Sequence, residues 1–285
     1  MIGFDALGTM GRLGNQMFQH AAIKGIARNR GFKYCIPPAN RPDFQIDNYG
    51  LFESFEMKNV DHVKFSYSTY PVQESQFHFD ENIFNECPDN SNIAGFFQSE
   101  KYFKHVENEI REDYTFKSEW LEPCKKFMEQ FDNREVIFLH VRRGDPNLTD
   151  KRGFKWAYVN LQDQHPVQEV EYYKEALKHF PEDMPVLVFS DSIDWCKEQD
   201  IFKPDRFMFS EPDDKYDDGA LVPYVDLCLM TLCSHAIIAN SSMSWWGAWL
   251  QKNKNKKVVA PKNWFGPTYH YNNTKDLYCD NWIVI

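Results

Sequence analysis

The sequence predicts an α/β fold with a parallel, doubly wound sheet in its second half. The main observation is that short apolar runs alternate with helical segments after residue 135. A second is the start of the chain, where a glycine turn, a helical segment and a strand-like run follow one another within residues 11–36. The third is the length of 285 residues, which favours two domains of about 130–150 residues each.

The first half combines an opening α/β unit with a segment of little periodicity. Apolar side chains recur at helical spacing over residues 15–28, with Asn15 as the expected N-cap and Gly31 as the expected stop. Periodicity indicates little between residues 40 and 86. The remaining expected elements are a strand at 32–36 and helices over 104–117 and 120–131. A polar break at 132–134 then places the boundary between domains 1–132 and 133–285.

The second half alternates regularly. Strands are expected at 136–139, 185–190, 206–209, 236–239 and 257–260. Helices are expected at 169–180, 193–199, 222–233 and 245–251. Long polar and short acidic loops occupy 146–165 and 213–218. At least two of the tryptophans Trp245, Trp246 and Trp249 are expected in the core.

Composition excludes several classes of function. The net charge of −10 and the pI near 5.4 argue against a nucleic-acid binder and against docking to anionic membranes. Seven cysteines without a CxxC pair fit reduced thiols and make zinc unlikely. No apolar run reaches the length of about 20 residues that spans a bilayer, and residues 1–5 do not resemble a secretory signal. We therefore expect a cytoplasmic protein without stable membrane insertion.

The strand at 136–139 ends in an unusual set of polar residues, namely His140, Arg142, Arg143 and Asp145. Charge at the end of a buried strand is costly unless it has a partner. Ligands of open α/β sheets bind outside the carboxyl ends of the strands, and guanidinium groups match phosphate well. The arginines therefore indicate an anionic ligand, with structural salt bridges as the alternative.

Two further strand ends carry polar residues. Ser190 and Asp191 follow the second strand, and residues 240–244 open the helix that follows the strand at 236–239. The free N–H groups at a helix start bind anions, although serines there are also ordinary N-caps. Because the ends of parallel strands share one edge of a sheet, we expect all three ends to form one site.

Nucleotide motifs of other classes are missing from the sequence. A GxxxxGK[ST] loop is absent, which excludes a P-loop NTPase. No Asp-x-Asp occurs, which fits a site where arginines rather than a metal ion neutralise a diphosphate. The turn from Gly11 to Gly14 is weak evidence by itself, because a structural turn gives the same pattern.

Taken together, the motifs resemble the α-1,2-fucosyltransferases of glycosyltransferase family 11. The resemblance rests on GRLGNQMFQH at 11–20, HVRRGD at 140–145, FSDSIDWC at 189–196, DLCLMTLCSH at 226–235, IANSSMSWWGAW at 238–249 and APKNWF at 260–265. These blocks follow the family's order over nearly the whole chain. Residues 40–130 match the family least. Because this region would shape the acceptor site, the identity of the acceptor is the least defined part of the predicted function.

The resemblance implies a GT-B fold, in which two Rossmann-like domains face a cleft. It implies inverting, metal-independent transfer of L-fucose from GDP-β-L-fucose to the 2-hydroxyl of a galactose-containing acceptor glycan, without any other cofactor. The first domain would face the acceptor and the second would bind the donor. The implied catalytic residues are Arg142, Arg143 and Asp145, with Asp145 expected to orient the arginines. The implied donor-binding residues are His140, Arg142, Arg143, Ser190, Asp191, Asp226 (for guanine), Asn240, Ser241, Ser242, Ser244, Gly14, Asn15 and Gln16.

Two alternatives remain open at this point. One is a transferase of the same fold with another linkage or another GDP-sugar. The other is a catalytically silent glycan-binding protein, which would bind glycan without affinity for GDP. The intact arginine pair argues against the second alternative.

Overall fold

A computed structural model describes residues 1–39, 50–58, 60, 70–144, 146, 157–211, 216–217, 220–221 and 223–285. The chain forms two compact units. Unit 1 comprises Met1–Ser118 with Asn272–Cys279, and unit 2 comprises Glu119–Tyr271 with Asp280–Ile285. The division thus falls ahead of the boundary expected at 132, and a short C-terminal segment belongs to unit 1.

Unit 1 is built on a four-stranded parallel sheet. Its strands are β1 (Ile2–Gly3), β2 (Tyr34–Cys35), β3 (Tyr70–Gln73) and β4 (Ser91–Ala94), in the order β2-β1-β4-β3. Its helices are α1 (Leu13–Arg30), α2 (Leu51–Ser54), α3 (Glu81–Glu86) and α4 (Glu107–Asp113). The glycine-turn, helix and strand order expected at the start of the chain is confirmed.

Helix α1 is buried over most of its length. Arg12 rather than Asn15 holds its N-cap position, so the expected cap was wrong. The expected stop was right, because Gly31 adopts a left-handed φ of 68° and its N–H bonds to the last carbonyls of the helix. The helix buries Lys24, whose Nζ lies 2.6 Å from Oδ2 of Asp113. The buried ammonium group therefore has a carboxylate partner within the unit.

Unit 2 is built on a six-stranded parallel sheet. Its strands are β5 (Ile137–Val141), β6 (Val186–Ser190), β7 (Phe207–Phe209), β10 (His235–Ile237), β11 (Val258–Ala260) and β12 (Ile283–Val284), in the order β12-β11-β10-β5-β6-β7. Strands β8 (Tyr216–Asp217) and β9 (Ala220–Leu221) pair antiparallel in a separate two-stranded sheet. The helices are α5 (Ser118–Met128), α6 (Val170–Leu177), α7 (Ile193–Glu198), α8 (Pro223–Leu232) and α9 (Ser242–Leu250). The predicted α/β class with a parallel sheet is confirmed.

Strands β5 and β6 of unit 2 are buried on both faces. Ile137 and Leu139 of β5 pack into a cluster with the ring of Tyr173 from α6. Phe138, which points to the opposite face, meets Phe189 of β6 edge to face with 6.2 Å between ring centroids. A parallel sheet that is covered on both faces needs continuous apolar runs in its strands. Such runs are visible in the sequence, so these strands could be predicted from it.

Helices α5 and α9 complete the core of unit 2. In α5, Trp120 packs on Tyr224 with 4.6 Å between ring centroids, and the thiol of Cys124 contacts the carbonyl of Val225. These contacts explain why α5 belongs to unit 2. In α9 all three tryptophans are buried, as expected for at least two. At Gly247 a Cβ would lie 2.8 Å from Cβ of Met230, so this glycine lets α8 and α9 approach closely.

All seven cysteines lie in the described part of the chain, and each is a buried free thiol. Within the same part of the chain, the helices are too short or too polar to cross a bilayer.

Candidate active site at the strand ends of unit 2

The carboxyl ends of β5, β6 and β10 lie side by side. Strand β5 pairs in parallel with β6 through Val141 and Ser190, and with β10 through Leu139 and Ile237. The segments that follow these strands therefore share one edge of the sheet. The expectation that three polar strand ends converge is confirmed.

Arg142 is fixed at this edge by a carboxylate and an aromatic ring. Its Nη1 lies 2.5 Å from Oδ2 of Asp191, in an ion pair whose side chains are 22% and 16% exposed. Its Cζ lies 5.2 Å from the centroid of the Tyr158 ring. Burial disfavours the charged form of Arg142, but Asp191 and Tyr158 outweigh it and raise the pKa of the guanidinium. Arg142 is therefore a permanent, oriented cation.

Asp191 organises both arginines. Its Oδ1 accepts a hydrogen bond of 2.9 Å from the backbone N–H of Arg143, while Oδ2 holds Arg142. The tight turn this requires passes through Gly144, which has a φ of +74°. A Cβ at Gly144 would lie 2.7 Å from Cα of Ala157, so a larger residue would displace the turn.

Arg143 is held differently. Its Cζ lies 3.9 Å from the centroid of the Trp195 ring in α7. Its Nη1 is buried, and no group of the described residues accepts a hydrogen bond from it. Arg143 therefore has a buried donor atom that is unsatisfied within the described part of the chain, which is unfavourable unless a further group pairs with it.

The amino end of α9, which follows β10, lies at the same edge of the sheet. Ser241 occupies the N-cap position but makes no side-chain cap hydrogen bond, and both Ser241 and Ser242 are partly exposed. Ser244 is buried, and its hydroxyl bonds to the carbonyls of Ala239 and Ser241. Because ordinary capping does not use the Ser241 hydroxyl, the helix start is available to an anion, favoured by the helix dipole.

Asn240 ties the surrounding loops together. Its Nδ2 donates to the carbonyls of Pro166 and Trp264 at 2.9 and 3.1 Å, and its Oδ1 accepts from Gln168 at 3.2 Å. The carboxamide is 2% exposed, so its contacts are structural ones that fix the entry to α9.

Tyr158 contacts residues of two strand ends, and no sequence pattern indicated this role. Its hydroxyl donates to the carbonyl of Asn240 at 3.4 Å, while its ring lies against Arg142. His165 stacks on the same ring at 4.9 Å. Burial, and then the charge of Arg142, lower the pKa of His165. Tyr158 opens a single turn of 3-10 helix outside any periodic segment, so no sequence pattern distinguishes it from other aromatic residues.

The other donor-binding candidates of unit 2 lie along the same sheet. The hydroxyl of Ser190 accepts from the N–H of Ser192 at 2.9 Å, and His140 is buried inside β5. Asp226 is buried on α8 and accepts a hydrogen bond of 2.9 Å from Ser210, the residue after β7. Asp226 is thus held at the carboxyl end of β7, the strand next to β6.

The remaining candidates lie elsewhere. Gly14, Asn15 and Gln16 form the first turn of α1 in unit 1. There Oε1 of Gln16 accepts from the N–H of Gly50 at 3.0 Å, and Oδ1 of Asn15 accepts from Gln98 at 2.8 Å. Asp145 lies outside the described residues. In the described ranges, no three His, Cys, Asp or Glu side chains are placed to hold a metal ion.

Comparison with known sequences points to one family. The model of "Glycosyl transferase family 11" matches residues 4–285. An alpha-1,2-colitosyltransferase from Escherichia coli is 30% identical over 276 residues, covering 90% of each chain. The O-antigen biosynthesis glycosyltransferase WbnK from Escherichia coli is 26% identical, covering 96% of this chain and 97% of that one. Galactoside alpha-(1,2)-fucosyltransferase 1 from Saimiri boliviensis boliviensis is 26% identical over 84% of this chain, which spans 63% of that relative.

Comparison with solved structures shows a shared fold. Fucosyltransferase NodZ from Bradyrhizobium has a TM-score of 0.52 at 16% identity, covering 86% of this chain and 91% of that one. NodZ alpha-1,6-fucosyltransferase soaked with GDP-fucose has a TM-score of 0.51 at 16% identity, covering 86% and 90%. POFUT1 in complex with GDP has a TM-score of 0.51 at 13% identity, covering 91% and 97%.

Proposed function

Since this chain belongs to glycosyltransferase family 11, we propose that it is an inverting α-1,2-fucosyltransferase. It would move L-fucose from GDP-β-L-fucose to the 2-hydroxyl of a galactoside, without a metal ion. The names of two relatives, an alpha-1,2-colitosyltransferase and a galactoside alpha-(1,2)-fucosyltransferase, support the linkage. The two-domain GT-B cleft implied by the motif resemblance stays a prediction.

The observation that carries this proposal is the pair Arg142 and Arg143 at the end of β5. Tyr158 contacts both elements, because its ring lies against Arg142 and its hydroxyl donates to the carbonyl of Asn240, just ahead of α9. The side chain of Tyr158 thus links Arg142 to the segment that precedes α9, which supports binding of one diphosphate by the two arginines and this helix end. This supports Arg142, Arg143, Ser241 and Ser242 as the groups that hold the phosphates.

The chemistry of transfer requires such a site. As the bond between C1 of fucose and the phosphate oxygen breaks, negative charge accumulates on the β-phosphate of GDP. Preorganised donors stabilise this charge more in the transition state than in the ground state, which accelerates the reaction. The acceptor hydroxyl attacks C1 from the opposite face and releases its proton, and GDP leaves with the electron pair of the broken bond, so the β-linked donor gives an α-linked product. Fixed arginines supply the charge that a metal ion supplies in other nucleotide-sugar enzymes.

The guanine base would lie further along the sheet. Asp226 is anchored by Ser210 at the end of β7, beside β6 and its Asp191. A carboxylate can accept the two N–H groups on the Watson–Crick edge of guanine, which supports Asp226 for base recognition. Ser190 lies between these positions, while Asn240 and Ser244 contribute by fixing the α9 entry. His140, Gly14, Asn15 and Gln16 stay predicted donor-binding residues, and Asp145 a predicted orienting residue.

A second candidate donor is favoured by the colitosyltransferase relative. Colitose differs from fucose by the absence of the 3-hydroxyl, so GDP-colitose would present the same diphosphate and guanine. The strand-end site would accept both donors equally well, and the sugar pocket would distinguish them.

The decisive assay measures transfer from GDP-fucose and GDP-colitose to a panel of β-galactosides, with the linkage determined by NMR. We expect release of GDP and a fucosyl-α-1,2-galactose product. A higher kcat/KM with GDP-colitose would establish the second candidate. Absence of transfer from either donor, combined with no affinity for GDP, would contradict the proposal and favour a glycan-binding protein.

A further inference from the structure

The ring of Trp195 supports the guanidinium of Arg143. The distance of 3.9 Å between Cζ and the ring centroid is well inside the range of a cation–π contact. Trp195 lies in α7, which begins three residues after β6 ends. The indole also packs against the hydrophobic core that contains Val188 and Cys196. The ring is therefore anchored by the core of unit 2 and offers its face to the arginine.

The two neighbouring arginines are held by chemically different partners. Arg142 pairs with the carboxylate of Asp191, which occupies its Nη1 and offsets its charge. An aromatic ring offers no acceptor oxygen and no negative charge, so the contact with Trp195 leaves the N–H groups of Arg143 without a partner from this side chain. This agrees with the buried Nη1 of Arg143, which has no acceptor among the described residues.

A buried guanidinium N–H without an acceptor is unfavourable, so the arrangement needs a reason. The contact with the Trp195 ring stabilises the guanidinium of Arg143 and so offsets part of this cost. A contact at this distance also restricts the orientations of the guanidinium, and a planar fork recognises phosphate oxygens only in a defined plane.

We propose that Trp195 is a positioning residue, which holds the guanidinium of Arg143 in the orientation in which it binds the diphosphate of the donor. This inference rests on the proposed function. It assigns Trp195 no contact with the substrate, and its effect is transmitted through Arg143 alone.

The test is a double-mutant cycle on the full-length protein, with the Kd for GDP measured by calorimetry. Trp195→Met should weaken GDP binding by about 2- to 30-fold, the range of a cation–π contact. Trp195→Phe should recover most of the affinity, because it restores an aromatic face. In an Arg143→Ala background, Trp195→Met should change the Kd no further. The KM for GDP-fucose should rise in Trp195→Met while the KM for the acceptor stays unchanged.

Phe207→Leu is the matched control. It removes the contact between the Phe207 ring and Arg206, whose Cζ lies 4.9 Å from the centroid, on an edge strand of the same sheet. This variant should bind GDP as the wild type does. Should Trp195→Met fail to fold, the same cycle with Trp195→Phe applies, and the expected loss is about 2-fold.

The outcomes separate the two claims. Failure of the wild type to bind GDP would overturn the proposed function itself. Binding of GDP by the wild type and by Trp195→Met with equal Kd would overturn only the role of Trp195. An equal loss of affinity in the presence and absence of the Arg143 side chain would also overturn it, because the ring would then act on the site by another route.

Discussion

Asp191→Asn tests whether one carboxylate organises the strand-end site. The substitution keeps the size of the side chain but removes its charge. If the amide oxygen keeps the bond to the N–H of Arg143, the amide nitrogen must face Nη1 of Arg142, which lies 2.5 Å from Oδ2 in the wild type. Two donors cannot share that contact, so Arg142 must move.

The magnitude follows from the contacts. A hydrogen bond to a charged group contributes about 1.5–3 kcal/mol, and solvent reduces this for a pair that is 22% and 16% exposed. We therefore expect stability to fall by about 1–2 kcal/mol. Loss of a preorganised donor costs about 100- to 1000-fold in rate. Because Arg142 is displaced rather than deleted, kcat/KM should fall by about 10- to 100-fold.

Steady-state transfer from GDP-fucose is the appropriate assay, with thermal unfolding as the check on folding. Asp194→Asn is the matched control, since this exposed carboxyl lies three residues away in α7 and should tolerate the change. In an Arg142→Ala background, Asp191→Asn should have little additional effect. Wild-type kcat/KM in a folded Asp191→Asn protein would refute the reasoning.

Three further predictions concern stability and pH. Burial raises the pKa of Glu74 to about 7, so the folded chain binds this proton more tightly than the unfolded chain. The free energy of unfolding should therefore fall by on the order of 3 kcal/mol from pH 4.5 to 8, and Glu74→Gln should remove this slope in urea titrations. Lys24→Met leaves Asp113 buried without its partner and should lower the free energy of unfolding by about 3–5 kcal/mol. Gly144→Ala forces a Cβ to within 2.7 Å of Ala157 and should lower both the melting temperature and, by about 10-fold or more, the affinity for GDP.

The predictions for Lys24 and Gly144 each have a matched control. Arg28→Met, one turn after Lys24, removes an exposed ion pair with Glu109 and should cost less than about 1 kcal/mol. Gly31→Ala introduces a side chain at a φ of +68° with open space around it, so it should lower stability without changing GDP affinity. An unchanged pH slope in Glu74→Gln, equal costs for Lys24→Met and Arg28→Met, or wild-type GDP affinity in Gly144→Ala would contradict the respective prediction.

The central strands were predictable because burial on both faces leaves a continuous apolar signal. The strand expected at 136–139 extends to Val141, since the ladder with β6 continues past His140. Strands β1 and β12 span two residues each and lack a periodic pattern, so they were not predicted. A helix in the region of 118–128 was predicted from the sequence. Its assignment to unit 2 was not, because it depends on long-range contacts such as that of Cys124 with Val225.

The candidate site was predictable where charge interrupts an apolar run. Arg142, Arg143 and Asp191 stand out for that reason, and their convergence followed from the rule for parallel strand ends. Tyr158 and Trp195 were not predictable, because an aromatic residue in a loop or short helix usually indicates packing. Only the three-dimensional structure shows that both rings contact the arginines.

The central claim is that the strand-end arginines bind the diphosphate of GDP. It is tested most directly by calorimetric titration of GDP into the wild-type protein and Arg142→Ala. Loss of one charged contact should raise the Kd by about 10- to 100-fold while the variant stays folded. Equal affinity for GDP in the two proteins would contradict the account.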